Sequence, residues 1–143
     1  MFSGSYQLTV DDKGRVAIPA RLRQQLSDEF GTTVYVTKAD KPCLEIHPSR
    51  SFRSIAEQIQ SMEDQESAEV LKLMYIGRAV ESDLDRQGRV TLPPMLRQEA
   101  QVNGKVMLVG MGSRFDVWAD TEYQNEVQTR EADLKSALAR IKR

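Results

Sequence analysis

The sequence predicts a β-rich α+β protein built from two tandem copies of one module. Three observations support this prediction: the chain repeats itself, each copy alternates apolar and polar residues as short strands do, and each copy is followed by an apolar stripe with helical spacing. The chain has 143 residues, so a module of half that length would struggle to bury a core alone. We therefore expect the two copies to share one core.

The internal repeat is clearest at an offset of 74 residues, where residues 11–24 align with residues 85–98. Eight of these fourteen pairs are identical. A weaker match resumes at an offset of 71, where residues 44–46 align with residues 115–117. We divide the chain accordingly into module 1 (5–50), a helical connector (51–77), module 2 (78–121) and a C-terminal helix (122–143).

Each copy opens with the pattern of a β-hairpin. In module 1, apolar residues alternate from Tyr6 to Val10 as on a strand, and a second strand begins at Val16 and Ile18. The polar stretch between them, residues 11–14, ends in a glycine that can adopt a positive φ. We expect the two strands to pair with each other across this turn.

A short helix and two further strands follow the hairpin. Pro19 suits the first turn of a helix, Leu22 and Leu26 share one face of it, and Gly31 is a stop signal. The second copy repeats this plan with Pro93, Leu96, Ala100 and Gly104. The further strands are predicted at 34–37 and 44–47 in module 1, and at 106–109 and 115–118 in module 2.

An apolar stripe with helical spacing follows each module. The first stripe consists of Phe52, Ile55, Ile59 and Met62, and the second of Leu134, Ala137, Leu138 and Ile141. Each helix either packs on its own module or joins subunits, and periodicity alone leaves both alternatives open. Phe52, Ile55 and Ile59 are the candidate residues for a contact between subunits.

Composition indicates a soluble protein of the cytosol. No apolar run is long enough to cross a bilayer, and residues 1–4 lack the features of a secretory signal. The single cysteine, Cys43, has no partner for an internal disulfide. The net charge of −1 gives no overall attraction to nucleic acid, so DNA binding must depend on local charge.

The local charge points to the two repeated turns. Residues 13–23 carry four basic residues and no acid. An arginine beside a turn glycine can project from the tip of the hairpin and contact phosphates or guanine O6 and N7. The candidate DNA-binding residues are Lys13, Gly14, Arg15, Arg21, Arg23, Arg86, Gly88, Arg89 and Arg97. Asp11 and Asp85 are expected to shape the turns, and ion pairs to Arg15 and Arg89 are the simpler alternative role of these motifs.

Catalytic and metal-binding sites are less consistent with the sequence. Cys43 and His47 would share one face of a strand, but no third group is visible to orient a base for the thiol. Asp83 and Asp85 lack further clustered ligands and are more typical of an acidic turn. We predict no enzymatic activity, no cofactor, no bound metal and no small-molecule substrate.

The paired motifs at residues 11–19 and 85–93 resemble those of the MraZ family, as do residues 1–4, 41–44 and 106–110. This resemblance implies two tandem SpoVT-AbrB-like modules in one pseudo-symmetric unit with a shared β-barrel-like core and flanking helices. It also implies a bacterial transcriptional regulator that represses its own promoter and the gene cluster for division and cell-wall synthesis. Subunits of the family assemble into rings.

These features predict a cytoplasmic, nucleoid-associated repressor that binds double-stranded DNA at direct repeats in its promoter. One slightly acidic protomer should bind a short site weakly, so affinity would come from a homo-oligomer, expected to be a ring. Repeats would then recur about every 10 to 10.5 base pairs. The alternative is an antitoxin-like or scaffolding module whose main partner is a protein.

Overall fold

The computed structural model describes residues 1–143. Its strands are β1 (Ser5–Thr9), β2 (Arg15–Ala17), β3 (Thr33–Thr37), β4 (Cys43–Pro48), β5 (Val80–Asp83), β6 (Arg89–Thr91), β7 (Lys105–Gly110) and β8 (Phe115–Ala119). Its helices are α1 (Ala20–Phe30), α2 (Ser49–Gln60), α3 (Gln65–Leu71), α4 (Pro94–Ala100), α5 (Asp120–Glu131) and α6 (Leu134–Leu138), and α3 continues as a π-helical turn over Lys72–Ile76. The α+β class and all four strands predicted after the short helices are confirmed.

The strands form a large antiparallel sheet and a small ribbon that both follow the internal repeat. The six-stranded sheet has the order β1-β7-β8-β4-β3-β5, and β2 pairs with β6 in a separate two-stranded ribbon. If each strand is replaced by its counterpart in the other copy (β1 by β5, β3 by β7 and β4 by β8), the sheet keeps the same order, read from the opposite edge. The chain is therefore pseudo-symmetric, but β1 and β5 are open edges and no closed barrel forms.

The predicted hairpin within each copy is wrong. β1 pairs along its whole length with β7 of the other copy, and β2 pairs with β6. The turn still closes locally, because the Asp11 N–H donates to the Arg15 carbonyl at 2.9 Å. Beyond the turn, β2 pairs with β6, its counterpart in the second copy. This pairing is favourable because it buries Val16 and Val90 in the core that the two copies share.

One face of the sheet packs against the ribbon, α1 and α4 to form the shared core. The core is a cluster of 19 buried residues that both copies supply. Each copy contributes the same positions, such as Val16 and Leu22 from the first and Val90 and Leu96 from the second. The expectation of a shared core is confirmed, and the ribbon strands are fixed to it by their inward side chains.

On the opposite face of the sheet, α5 lies over β7 and β8, and α2 lies over β3 and β4, so that its apolar stripe packs on its own module. The ring of Phe52 stacks on Tyr35 with centroids 4.9 Å apart, and Phe52 and Ile59 are only 3% and 4% exposed. Phe52 and Ile59, two of the three candidate residues for a contact between subunits, are therefore already buried within the protomer, and Ile55 is half-buried.

The second stripe differs from the first because it lies on the surface. Leu134 and Ile141 are 57% and 61% exposed, although their spacing is as regular as that of the first stripe. None of the helices is both long and apolar enough to span a membrane.

Candidate nucleic-acid interface

The first repeated turn is held by the carboxylate of Asp11. Its Oδ1 accepts hydrogen bonds from the backbone N–H groups of Lys13 and Arg15 at 3.0 and 2.8 Å. Its Oδ2 accepts one from Nε of Arg15 at 2.8 Å. Gly14 closes the turn by donating to the Asp11 carbonyl at 3.0 Å with a φ of 80°, so this position favours glycine.

The second turn repeats this geometry around Asp85. Its Oδ1 accepts from the N–H groups of Gln87 and Arg89, each at 2.9 Å, and its Oδ2 accepts from Nε of Arg89 at 2.7 Å. Gly88 has a φ of 74°. In both turns the backbone N–H of the arginine is the largest cause that lowers the aspartate pKa, so Asp11 and Asp85 stay ionised beside their arginines.

The aspartates therefore have both of the roles considered from the sequence, since each shapes its turn and pairs with its arginine. The pairing leaves the arginines' outer nitrogens available. Nη1 and Nη2 of Arg15 and Arg89 make no hydrogen bond within the chain, and these side chains are 23% and 31% exposed. Each guanidinium is thus held through Nε, and its two Nη nitrogens remain free to bond a ligand.

The two arginines lie on the ribbon rather than at the tips of hairpins, which corrects their predicted position. They are the first residues of β2 and β6, where Arg15 pairs with Thr91 and Arg89 pairs with Ala17. Val16 and Val90 between these positions face the core, so alternation puts both arginines on the outer face. Diagonal positions of this kind lie about 7–8 Å apart.

The two turns are also locked to each other across the ribbon. The Ile18 N–H donates to the Gly88 carbonyl, and the Leu92 N–H donates to the Gly14 carbonyl, both at 2.9 Å. Each turn is therefore held by a strand of the other copy. The ribbon and its two turns form a single rigid unit on the core.

Arg23 and Arg97 lie across the turn of the opposite copy. Nη1 of Arg23 donates to the Gln87 carbonyl at 2.7 Å, and its side chain covers Gly88. Arg97 covers Gly14 in the same way, and its buried Nε has no hydrogen-bond partner. Both side chains are half-buried, so the structure gives them a supporting position behind the turns that the sequence did not predict.

The remaining predicted basic residues lie at the surface. Lys13 and Arg86 are exposed at the two turns, and Arg21 is exposed on α1, where its Nη2 donates to the Tyr6 hydroxyl at 2.6 Å. Sequence reasoning missed Ala17 and Thr91, which share the outer face of the ribbon with the arginines. Because every second residue of a strand faces the same side, Ala17 and Thr91 could have been identified from the positions of Arg15 and Arg89.

The other candidate residues lie away from this surface. Cys43 and His47 share one face of β4 as predicted, but both are buried, and burial raises the pKa of the Cys43 thiol to about 12. A neutral buried thiol is a poor nucleophile. Asp83 accepts a hydrogen bond from the Thr33 hydroxyl, while Asp85 is held in its turn, so the two carboxylates serve different partners.

Comparison with known proteins relates nearly the whole chain to one family. The sequence profile of the family described as "MraZ protein, putative antitoxin-like" matches residues 1–73 and 75–143. A protein of Carboxydothermus hydrogenoformans named "Transcriptional regulator MraZ" is 38% identical over 127 residues, which are 87% of this chain and 85% of that protein.

Two further relatives carry the same name. The protein of Shewanella amazonensis is 36% identical over 138 residues, covering 95% of this chain and 91% of its own. That of Shewanella loihica is 34% identical over 146 aligned positions, covering 100% and 96%. These matches span both copies of the repeated motif and confirm the resemblance noted in the sequence. The chain belongs to the MraZ family.

Proposed function

We propose that this protein is a sequence-specific DNA-binding transcriptional regulator that represses its own promoter and a bacterial division and cell-wall gene cluster. The name of its relatives, transcriptional regulator, supports the class of function. The observation that carries DNA binding is the pair of arginines on the outer ribbon face, each fixed through Nε with its Nη edge unbonded.

A two-stranded antiparallel ribbon fits the major groove of B-DNA, which is about 12 Å wide. Within that groove, the Nη edges of Arg15 and Arg89 would contact guanine O6 and N7, while Lys13, Arg21 and Arg86 contact phosphates. The Asp-held turns fix the arginine side chains before binding, so little side-chain entropy is lost on contact. Asp11 and Asp85 act as positioning residues.

Each copy corresponds, in this proposal, to a SpoVT-AbrB-like module, with boundaries at 5–50 and 78–121 and the connector and C-terminal helix at 51–77 and 122–143. The regulator acts in the cytoplasm on nucleoid DNA. Several protomers assemble, as a ring in our proposal, because one ribbon on a chain of net charge −1 offers few contacts to an isolated site. Such an assembly binds direct repeats in the promoter cooperatively.

The proposal is tested by titrating the DNA upstream of the protein's own gene with the wild-type protein and with Arg15→Ala/Arg89→Ala. Each lost base contact should weaken binding by about 1–3 kcal/mol. Arg53→Ala is the matched control, because Arg53 is an exposed arginine of α2 on the opposite side of the sheet. Thermal melts of all variants should match the wild type within a few degrees.

Unchanged affinity in the double variant, or an equal loss in the Arg53 variant, would contradict the assignment of the ribbon. The same titration also distinguishes the alternative function, an antitoxin-like or scaffolding module with a protein partner. A protein of that class would bind upstream DNA no better than unrelated DNA of equal length.

A further inference from the structure

Residues 134–143, which we call the tail, carry an apolar stripe that the protomer leaves uncovered. Leu134 and Ile141 are 57% and 61% exposed, and Leu138 between them is half-buried. The Ile141 N–H donates to the Leu138 carbonyl at 3.2 Å, so the chain continues in a tight turn after α6 and keeps Ile141 close to the helix. The stripe predicted from the sequence is therefore present in the fold but has no apolar partner there.

The tail is also strongly basic. It contains Lys135, Arg140, Lys142 and Arg143 but no acidic residue. None of these four side chains forms an ion pair or a hydrogen bond within the protomer, whereas Arg130, shortly before the tail, pairs with Glu126 at 3.3 Å. The tail therefore attracts anions locally, although the whole chain has a net charge of −1.

The apolar and basic side chains of the tail meet in one open hollow. The hollow has a volume of about 860 Å³, and its lining includes three apolar and three basic side chains, those of Leu134, Leu138, Ile141, Lys135, Lys142 and Arg143. Glu131 is the only acidic residue that lines it. A partner that fits this surface must therefore offer both negative charge and an apolar region.

The position of the tail separates it from the ribbon. The tail continues from α5, which lies over β7 and β8 on the sheet face away from the ribbon. A duplex bound along the ribbon would approach the other face of the sheet. Nucleic acid on the tail would also pair with its cations but leave Leu134 and Ile141 in water. An anionic bilayer takes up both kinds of side chain, since its phosphates lie directly above an apolar interior.

We propose that the tail binds the surface of an anionic phospholipid bilayer. Leu134, Leu138 and Ile141 enter the boundary between the headgroups and the acyl chains, while the four basic side chains contact lipid phosphates. This proposal goes beyond the proposed function, because it gives the protein a second anionic partner on a different surface. A segment of ten residues buries little apolar area, so binding through one tail is reversible and depends on anionic lipid and on salt.

Cosedimentation of the full chain with lipid vesicles tests this proposal. Vesicles of equal parts phosphatidylglycerol and phosphatidylcholine provide the anionic surface, and vesicles of phosphatidylcholine alone provide the neutral one. The wild type should sediment with the anionic vesicles and remain in solution with the neutral ones. The bound fraction should fall as the salt concentration rises, because salt screens the attraction between the cations and the lipid phosphates.

Charge-matched variants separate the tail from the net charge of the chain. Lys135→Gln/Lys142→Gln should lower the partition coefficient about 25-fold, since each basic side chain near an anionic surface contributes about fivefold. Arg53→Gln/Lys105→Gln removes the same charge at two exposed positions outside the tail and should bind as the wild type does. Because all four side chains are exposed, thermal melts of both variants should match the wild type.

A second pair of variants tests the apolar stripe. Leu134→Ser/Ile141→Ser should lower the partition coefficient about tenfold or more, because the two side chains no longer gain from leaving water. Val80→Ser/Met95→Ser changes two apolar residues that are 46% and 80% exposed elsewhere on the surface, and it should keep wild-type binding to the vesicles.

Four results would overturn the proposal. They are a wild type that stays in solution with anionic vesicles, equal binding to neutral vesicles, equal losses in the tail variants and their controls, and wild-type binding by Leu134→Ser/Ile141→Ser. Titration of the upstream DNA with the same tail variants should give the wild-type affinity. If the tail variants weaken DNA binding and leave vesicle binding unchanged, the tail contacts DNA and the membrane proposal is wrong. DNA binding through Arg15 and Arg89 is measured separately, so the proposed regulator function stands or fails independently.

Discussion

Substitution of Gly88 tests how tightly the two modules are locked at the second turn. In Gly88→Ala, the new Cβ would overlap Cδ of Arg23 and lie 3.0 Å from its Cζ. The residue also has a φ of 74°, and a left-handed conformation costs an L-residue about 1–2 kcal/mol. Moving Arg23 breaks its hydrogen bond to the Gln87 carbonyl, which costs about 1 kcal/mol more.

The total destabilisation expected for Gly88→Ala is therefore about 2–3 kcal/mol, which corresponds to a fall in Tm of about 5–10 °C for a chain of this size. The matched control is Gly104→Ala, because Gly104 has a φ of 60° but no atom within 4 Å of the added Cβ. That variant should show only the backbone cost, about 1–2 kcal/mol.

Urea denaturation of both variants, and of Gly88→Ala combined with Arg23→Ala, measures each contribution separately. With Arg23 truncated, Gly88→Ala should cost no more than Gly104→Ala. Equal destabilisation by Gly88→Ala in the presence and absence of the Arg23 side chain would refute the contact between the helix arginine and the opposite turn.

Three further predictions concern the remaining polar groups. Because the pKa values of Asp11 and Asp85 are lowered in the folded state, these carboxylates stabilise the fold at pH values above their unfolded pKa near 3.8, and this stabilisation is lost as the pH falls through the folded pKa. In urea melts from pH 6 to 2, the free energy of unfolding should therefore fall less for Asp11→Asn/Asp85→Asn than for the wild type. Cys43 should resist alkylation at neutral pH until the protein unfolds, since burial raises its thiol pKa to about 12; rapid native labelling would contradict this. Tyr75→Phe removes the donor to buried Glu45 and should cost about 1–3 kcal/mol, whereas a neutral effect in denaturant melts would show that the bond contributes nothing.

Local pattern was enough to place most elements but not to choose the partners of the first two strands in each copy. The alternation from Tyr6 to Val10 and the turn before Arg15 are the same whether β2 pairs with β1 or with β6. β2 can pair with β6 only because the repeat supplies a second strand of the same pattern, in which Val90 matches Val16. The choice depends on burial across the whole fold, which a local pattern does not contain.

The same limit explains the arginines and the helix stripes. Charge alone placed Arg23 and Arg97 with the DNA contacts, while their packing on Gly88 and Gly14 depends on how the two copies meet. Phe52 and Leu134 have equally regular spacing, yet one is 3% and the other 57% exposed. Periodicity indicates that one face of a helix is apolar, but only the tertiary structure shows what covers that face.

The central claim is that Arg15 and Arg89 contact guanines in the major groove, and methylation interference tests it most directly. Methyl groups on guanine N7 of the upstream repeats occupy the position that an Nη edge would contact. Methylation at specific repeat guanines should reduce binding by the wild-type protein and by Arg53→Ala, and it should have no effect on the residual binding of Arg15→Ala/Arg89→Ala. The claim is contradicted if N7 methylation leaves wild-type binding unchanged, or if it reduces binding of the double variant as strongly as that of the wild type.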